Sequence, residues 1–498
     1  MAPLTEQTIP DGVPGPTYDR STITAGVVHF GLGNFHRAHQ ARYLDQLMEQ
    51  GQAREWGICG VGLLPGDAVM RDVLRAQDYL YTLVIKRYDG SWEPRVVGSI
   101  VDYLFAPDDP AAVVAALADP AIRIASLTVT EGGYNTDDAT GEFDTANPQV
   151  RADAAALTAG EDARLSTVFG LIAAGLRRRR RAGVAPFTVA SCDNVQGNGA
   201  VARKAIVTFA RLADPDLADW IDDEVAFPNS MVDRITPATT DEDQLQFSQR
   251  YGIQDGWPVT CEPFIQWVLE DTFPLGRPAY DEVGVQLTDD VEPYELMKLR
   301  LLNASHQLLG HLGYLDGYRL VHEVAQDQQY RDFMLAYIRT EAAPSLTPAP
   351  GLGVEDYAAE MVRRFSNEYV RDTLLRLNTG ASDRIPKFLL PVVRYQLAGG
   401  ADRGHINHAA VVCAAWARTA GGPDRLGQPL EIVDNMRARI LELGAAARNN
   451  PQTFLRNPVV FGELGDDPRF IAAFSAAYRK LETEGVRATM AAVDSLAG

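Results

Sequence analysis

The sequence predicts an α/β unit built on a mainly parallel, doubly wound sheet, followed by a mostly α-helical C-terminal unit. Three observations lead there. Short β-branched apolar runs alternate with helical patterns through the first half, and that alternation implies crossover connections between parallel strands. From Tyr294 onward strand signals become sparse and helical periodicity takes over. The 498 residues are 46% hydrophobic and 22% charged, with a mean hydropathy of −0.14. That is ordinary globular composition, in a chain long enough for roughly two to four domains.

Residues 26–31 (Gly-Val-Val-His-Phe-Gly) read as the first strand, with a helix over 38–49. Residues 57–63 give the second strand, 122–129 a third and 187–192 a fourth, the last preceded by a helix over 165–181. In the second half, helical patterns cover 295–312, 326–342, 354–368, 408–417 and 432–448. Pro344, Pro348, Pro350 and Gly351-Leu352-Gly353 punctuate them. The predicted boundary lies near residue 290, giving a sheet unit at 1–290 and a helical unit at 291–498.

Composition excludes whole classes of partner. With 46 basic and 66 acidic residues the formal charge is −20 and the pI about 4.9. Such a surface repels nucleic acid and anionic membrane alike. The run Arg177 to Arg181 reads as a solvated helix end, its cations complementing the dipole before Gly183 stops the helix. No apolar stretch of about 18 residues appears, and Met1-Ala2-Pro3-Leu4 opens no signal-peptide pattern. Cys59, Cys192, Cys261 and Cys413 are far apart and form no CxxC pair, which argues against zinc ligation and a disulfide scaffold. The expectation is a cytoplasmic protein without a metal.

The first chemical signal is Val28-His29-Phe30-Gly31-Leu32-Gly33-Asn34-Phe35-His36-Arg37, a strand running through Gly-x-Gly into a helix. Gly31 permits the tight turn and Gly33 lets a pyrophosphate approach the backbone at the helix start. A third glycine is absent because position 36 is His, so a plain strand-to-helix turn stays open as the alternative. Asp67 follows the second strand, where an acid would accept ribose hydroxyls and disfavour a 2′-phosphate, pointing to NAD. Its alternative is a solvated loop acid. Thr130-Glu131-Gly132-Gly133-Tyr134 and Asp193-Asn194-Val195-Gln196 follow two further strands, at the carboxyl ends where doubly wound sheets collect ligands. The His36-x-x-His39 pair suggests a phosphate or structural role.

The densest constellation is Pro293 to His306. At about 100° per residue from Lys298, Glu295 falls near 60°, His306 near 80° and Asn303 near 140°, all on one side of a helix with Leu299, Leu302 and Leu309. A lysine desolvated among leucines can serve as a general base near neutral pH. An Asn amide can steady a developing oxyanion. The alternative is an amphipathic helix with Lys298 snorkelling to water.

Taken together, Gly31 to Gln40, Ser191-Cys192-Asp193-Asn194, Phe227-Pro228-Asn229-Ser230-Met231-Val232-Asp233-Arg234-Ile235, Cys261-Glu262-Pro263-Phe264, Gln266-Trp267-Val268 and the Lys298-x-x-x-x-Asn303-x-x-His306 motif resemble the polyol-specific long-chain dehydrogenase/reductases. Leu312-Gly313-Tyr314 and Arg364-Phe365-Ser366-Asn367 fit the same family, and the resemblance runs from about residue 26 to the C-terminus.

It implies an expanded Rossmann-type domain, a helical domain, and a site in the cleft between them. The implied activity is metal-independent, NAD-linked interconversion of a polyol and its ketose, with D-mannitol and D-fructose as the pair. D-arabinitol or a hexuronate such as fructuronate are the alternatives within the family, and a non-catalytic nucleotide-binding regulator is the alternative outside it. Carried over, Lys298 is the base, Asn194 and Asn303 form the oxyanion hole, His306 holds substrate and Glu295 links Lys298 to solvent. Asp233, Arg376 and Arg384 bind the hydroxyl chain. Gly31, Gly33, Asn34, Phe35, Asp67, Thr130 and Glu131 serve the cofactor. Mannitol-oxidising relatives carry a lysine where Arg384 stands, so a planar fork replaces a point charge. A monomer is implied.

Overall fold

In chain order the strands are β1 (Ala25–Phe30), β2 (Gly57–Gly62), β3 (Tyr81–Lys86), β4 (Trp92–Val97), β5 (Ile100–Phe105), β6 (Ile124–Leu127), β7 (Thr188–Ser191), β8 (Ser230–Asp233), β9 (Val259–Cys261), β10 (Gln266–Glu270) and β11 (Gln286–Thr288). Five of them form an all-parallel sheet in the order β5-β2-β1-β6-β7. The computed structural model describes residues 3–136, 141–399 and 404–496. The chain divides into two units, Met1–Glu292 and Pro293–Gly498.

Strand periodicity explains why the parallel sheet is covered on both sides. Val27, Ile58, Ile124 and Ala190 pack into one cluster with Leu44, Leu47 and Trp267. Their chain neighbours Val28, Cys59, Ala125 and Val189 pack into another with Leu117, Ile172 and Phe209. Successive residues point to opposite faces, so strands buried on both read as continuous apolar runs. Those runs are the four strands the sequence displayed. The sheet order reverses between β1 and β6, the switch point at which ligands bind beyond the strands' carboxyl ends.

The expected first helix is interrupted. His39 takes φ −120° and ψ −89°, dividing it into Asn34–Ala38 and Gln40–Glu49. Seven strands had no counterpart in the sequence reading. β3 pairs antiparallel with β4 and parallel with β9, while β10 joins β8 to β11. β3, β4 and β5 are as long as β1, but no helix separates them, so the helix–strand rhythm that revealed the others is missing.

The arginine run is only in part a solvated end. Arg179 is fully buried at the C-terminus of the helix Val168–Ala182 and donates to the carbonyls of Leu117, Asp119, Ile122 and Ala185. Burial pulls its pKa down to about 10. Arg177 is buried too, against the Leu157 carbonyl and Asp162, whereas Arg178, paired with Asp162, is partly exposed and Arg180 and Arg181 face water. Two members of the run are thus internal donors that satisfy backbone carbonyls, and the rest form the solvated side of the helix end.

The second unit is helical. Its helix Asn407–Gly421 is buried along nearly its whole length, and its alanines let the helix Pro468–Ala491 pack closely against it. Trp416 meets Phe454 edge to face at 4.9 Å. The sequence reading did not mark Pro468–Ala491, nor the short helices Leu374–Asn378, Ala381–Phe388 and Leu390–Leu397. Two expected helices contain π-helical stretches, Lys298–Asn303 and Ile338–Ala342.

Replacing Arg179 with Met should lower the stability of the sheet unit by roughly 2–4 kcal/mol, because buried carbonyls lose their only cationic donor. Arg181→Ala should leave it unchanged. Urea midpoints of the two variants check this, and equal midpoints would refute the internal role.

Candidate active site

In the first unit the site grows from the end of β1. Gly31 has φ +88°, and a Cβ there would lie 2.1 Å from the Thr128 carbonyl oxygen, so only glycine fits. Two residues earlier, the His29 ring spans from Ser126 Oγ to Thr128 Oγ1, each 2.8 Å away. The Thr128 hydroxyl donates to the Gly31 carbonyl at 2.7 Å. Burial drives the His29 pKa down to about 3, so the ring is neutral. His36 stacks on it with centroids 3.4 Å apart, and His39 Nε2 meets the Gln266 carbonyl at 2.8 Å. The histidine pair is therefore internal packing rather than a phosphate contact.

Around Gly33 the backbone is open, its notional Cβ meeting only the Gly31 carbonyl at 3.9 Å. That is the free approach a pyrophosphate needs. Fully buried Arg37 holds the turn from behind, donating to Asn34 Oδ1 at 2.6 Å, while Phe35 stacks on His39. Asp67 lies just past β2, where one carboxylate oxygen accepts the amides of Leu63 and Leu64 at 2.9 Å each. Thr130 and Glu131 follow β6 and Asn194 follows β7, exposed. Asp233 ends β8 and is buried. Gly33, Asp67, Thr130, Glu131 and Asn194 follow the carboxyl ends of strands of the parallel sheet, where a dinucleotide fits; Asp233 belongs to the separate sheet β11-β10-β8.

In the second unit Glu295 lies in the α-helical stretch Glu292–Met297, Lys298 to Asn303 is π-helical, and His306 lies in the helix Ala304–Leu315. The uniform 100° step expected from sequence does not hold here. A π-helix bonds i to i+5, so residues five apart stand one turn above each other. Asn303 consequently lies under Lys298 rather than well around the helix. Lys298 is 6% exposed and Glu295 8% exposed, which removes the snorkelling alternative.

His306 Nε2 is shielded from solvent and has no hydrogen-bond partner, and the ring leans on Phe365 at 4.9 Å. Burial first, then the charges of Arg376, Arg384, Arg364 and Lys298, hold its pKa well below the ordinary histidine value. A neutral ring with a free nitrogen can donate to or accept from a sugar hydroxyl. Arg376 pairs with Asp372, and Arg384 donates to the carbonyls of Arg376 and Leu377 at 3.1 and 3.2 Å. Gln307 and Asn378 tie this segment to the lysine helix through Leu377 and Gly310 carbonyls at 2.9 and 3.2 Å. Sequence reasoning gave no role to His29, or to Arg364, which is buried beside His306. A histidine inside an apolar strand was the only available signal for the first.

A nucleotide-type parallel sheet with a glycine turn at its switch point, joined to a helical unit bearing a buried lysine, defines a Rossmann-type oxidoreductase architecture. The chain belongs to the mannitol dehydrogenase family: the family's Rossmann domain matches residues 25–282 and its C-terminal domain residues 290–482. It is 45% identical over 480 residues to a mannitol 2-dehydrogenase of Phaeosphaeria nodorum, covering 96% of this chain and 82% of that one. It is similar to the structure of Pseudomonas fluorescens mannitol 2-dehydrogenase in ternary complex with NAD and D-mannitol, with TM-score 0.91 and 44% identity over 99% of this chain and 100% of that one. A substrate-free D-sorbitol dehydrogenase structure matches with TM-score 0.87 and 36% identity, over 98% of this chain and 100% of that one.

Buried His29, His36 and His311 and half-buried His306 have depressed pKa values. The unfolded chain takes up their protons near pH 6.5 and the folded chain only far lower, so stability is full above that pH and is lost as pH falls. The slope is roughly 1.4 kcal/mol per pH unit for each histidine. His311 has neither ring nitrogen partnered. His311→Leu should therefore make the loss between about pH 8 and pH 5.5 smaller by about 1 kcal/mol, read from urea midpoints. An unchanged loss would refute its share.

Proposed function

We propose that the chain is an NAD-dependent polyol dehydrogenase that oxidises D-mannitol to D-fructose and runs the reverse reaction, without a metal. The observation that carries this reading is the match in identity and fold, over almost the whole of both chains, to an enzyme whose structure holds NAD and D-mannitol. The bound nicotinamide supplies the hydride acceptor.

The residues divide the remaining work. The neutral amine of Lys298 takes the proton of the reacting hydroxyl while the carbon–hydrogen electron pair departs as hydride and the carbonyl forms. Asn194 and Asn303 donate to the same oxygen, where negative charge gathers before the carbonyl is complete. His306, neutral, positions a neighbouring hydroxyl. Glu295, one turn before Lys298, passes the collected proton towards water. Asp233, Arg376 and Arg384 hold the remaining hydroxyls. Gly31, Gly33, Asn34, Phe35, Thr130 and Glu131 cradle the cofactor, and the charge of Asp67 selects NAD over NADP. A monomer in the cytoplasm completes the reading; no helix among the described residues is long and apolar enough to cross a membrane.

A hexuronate is the second reading, favoured by one observation: Arg364, Arg376, Arg384 and Lys298 all bear electrostatically on His306. A substrate carboxylate would find compensation there.

The test is NADH formation by the EDTA-treated enzyme over mannitol, sorbitol and arabinitol, with NADH oxidation by fructuronate measured alongside. Mannitol as the best substrate after chelation is expected. Fructuronate reduction with no polyol turnover would replace the reading, and silence with all of them would leave a nucleotide binder. Lys298→Ala should lose on the order of 10³-fold in kcat, keep its affinity for NADH, and regain turnover with a small amine. Wild-type turnover by this variant would remove Lys298 as the base.

A further inference from the structure

Asp193 has no part in the chemistry described above, yet it is among the most heavily bonded acids of the sheet unit. It follows β7 and is buried at 7% exposure. One carboxylate oxygen accepts the Thr130 amide at 2.8 Å. The other accepts the Val129 amide at 3.1 Å and the Tyr134 hydroxyl at 2.7 Å. Tyr134 Oη also lies 2.6 Å from Ser191 Oγ, which closes the network on β7 itself.

The segment so gripped is a strained one. Thr130 adopts φ +66° and ψ 169°, a region that a side chain with a branched Cβ rarely enters, and Asn135 at its far end is left-handed at φ +53°. Such a backbone persists only where its surroundings over-determine it. Two amides and a phenol bound to a single carboxylate do so. Because the carboxylate leaves β7 one residue before Asn194, it fastens the exit of β6 to the residue that begins the next loop.

We propose that Asp193 is a positioning residue whose ionised carboxylate holds the Val129–Tyr134 backbone and the base of Asn194 in the geometry that receives the nucleotide. This rests on the dehydrogenase reading, in which Thr130 and Glu131 serve the cofactor. Ionisation matters because a carboxylate accepts from all three donors at once, whereas a protonated acid must turn one oxygen into a donor that faces N–H or O–H groups. The groups facing it are Tyr134 and Glu131 from the turn after β6, with Cys192 beside it in the chain. Burial keeps Tyr134 and Cys192 protonated, and the Glu131 charge opposes ionisation of Asp193. Burial outweighs the three donors and pushes the Asp193 pKa up to about 6. The grip therefore loosens as pH falls through about 6.

The experiment is NADH affinity by fluorescence titration from about pH 5.5 to pH 8.5, with KM and kcat in parallel, for wild type, Asp193→Asn and Tyr134→Phe. Wild type should bind more weakly as pH falls through about 6. Asp193→Asn should bind about tenfold more weakly at high pH and show no such limb. Its KM for NAD should rise more than its kcat falls, which a general loss of folded protein would not produce. Tyr134→Phe, the milder change, should move the limb to higher pH, because the lost hydroxyl favoured the ionised acid. Wild-type affinity and pH profile in Asp193→Asn would overturn the proposal. Should that variant not fold, an unmoved limb in Tyr134→Phe does the same. Failure of wild type to bind NADH at any pH would instead sink the dehydrogenase reading on which the proposal stands.

Discussion

The close passage of Gly31 over the end of β6 governs the geometry of the sheet unit. With 2.1 Å between a notional Cβ and the Thr128 carbonyl oxygen, no side chain can be tolerated. β1 and β6 are in register there, His29 opposite Ser126 and Phe30 opposite Leu127. The His29 ring reaches two hydroxyls of the neighbouring strand and the glycine turn is tied back through one of them. That arrangement sets where the open backbone of Gly33 lies relative to the Thr130 turn, and both belong to the switch point of the sheet. The stacked His36 ring then fixes the short helix that follows. Only neutral imidazoles can stack this way in a buried setting, which agrees with the depressed pKa values of both.

The helical unit arranges charge by a similar logic. Lys298 and Glu295 lie on one buried stretch of helix, and His306 is kept neutral by burial first and then by the cations around it. A ring surrounded by positive charge cannot readily take up a proton, so it stays available as a hydrogen-bonding group for hydroxyls. The anchors from Gln307 and Asn378 bring a second short helix, with Arg376 on it, to the same place. Side chains other than Lys298 and His306 thus fix where Arg376 lies relative to them.

How much of this the sequence disclosed depended on the kind of signal. β1, β2, β6 and β7 were readable because strands buried on both faces are uninterrupted apolar runs between helices. β9, β10 and β11 were not: three to five residues long, they follow one another with no α-helix between them. The Gly31–Arg37 turn and the Lys298–His306 helix were visible as patterns of residue type. The division of labour inside them was not. Nothing in the letters said that Arg37 and Arg179 would turn inward to bind carbonyls, since an arginine's partner is defined by tertiary contacts. The twist of the Lys298 helix was likewise hidden, because periodic reasoning supposes one constant step.

The π-helical turn bears on the spacing of the Lys298–His306 motif. Five residues separate Lys298 from Asn303, and in a regular α-helix the alignment they need would come from a separation of four. The wider turn accommodates one residue more than the regular count, with ordinary helix resuming at Ala304. An extra residue that is accommodated locally leaves everything downstream, including His306, on the same face. The spacing of this motif is therefore set by backbone geometry as well as by chemistry. A search by residue spacing alone would pass over a helix that brings the same two side chains together through a regular turn, four residues apart.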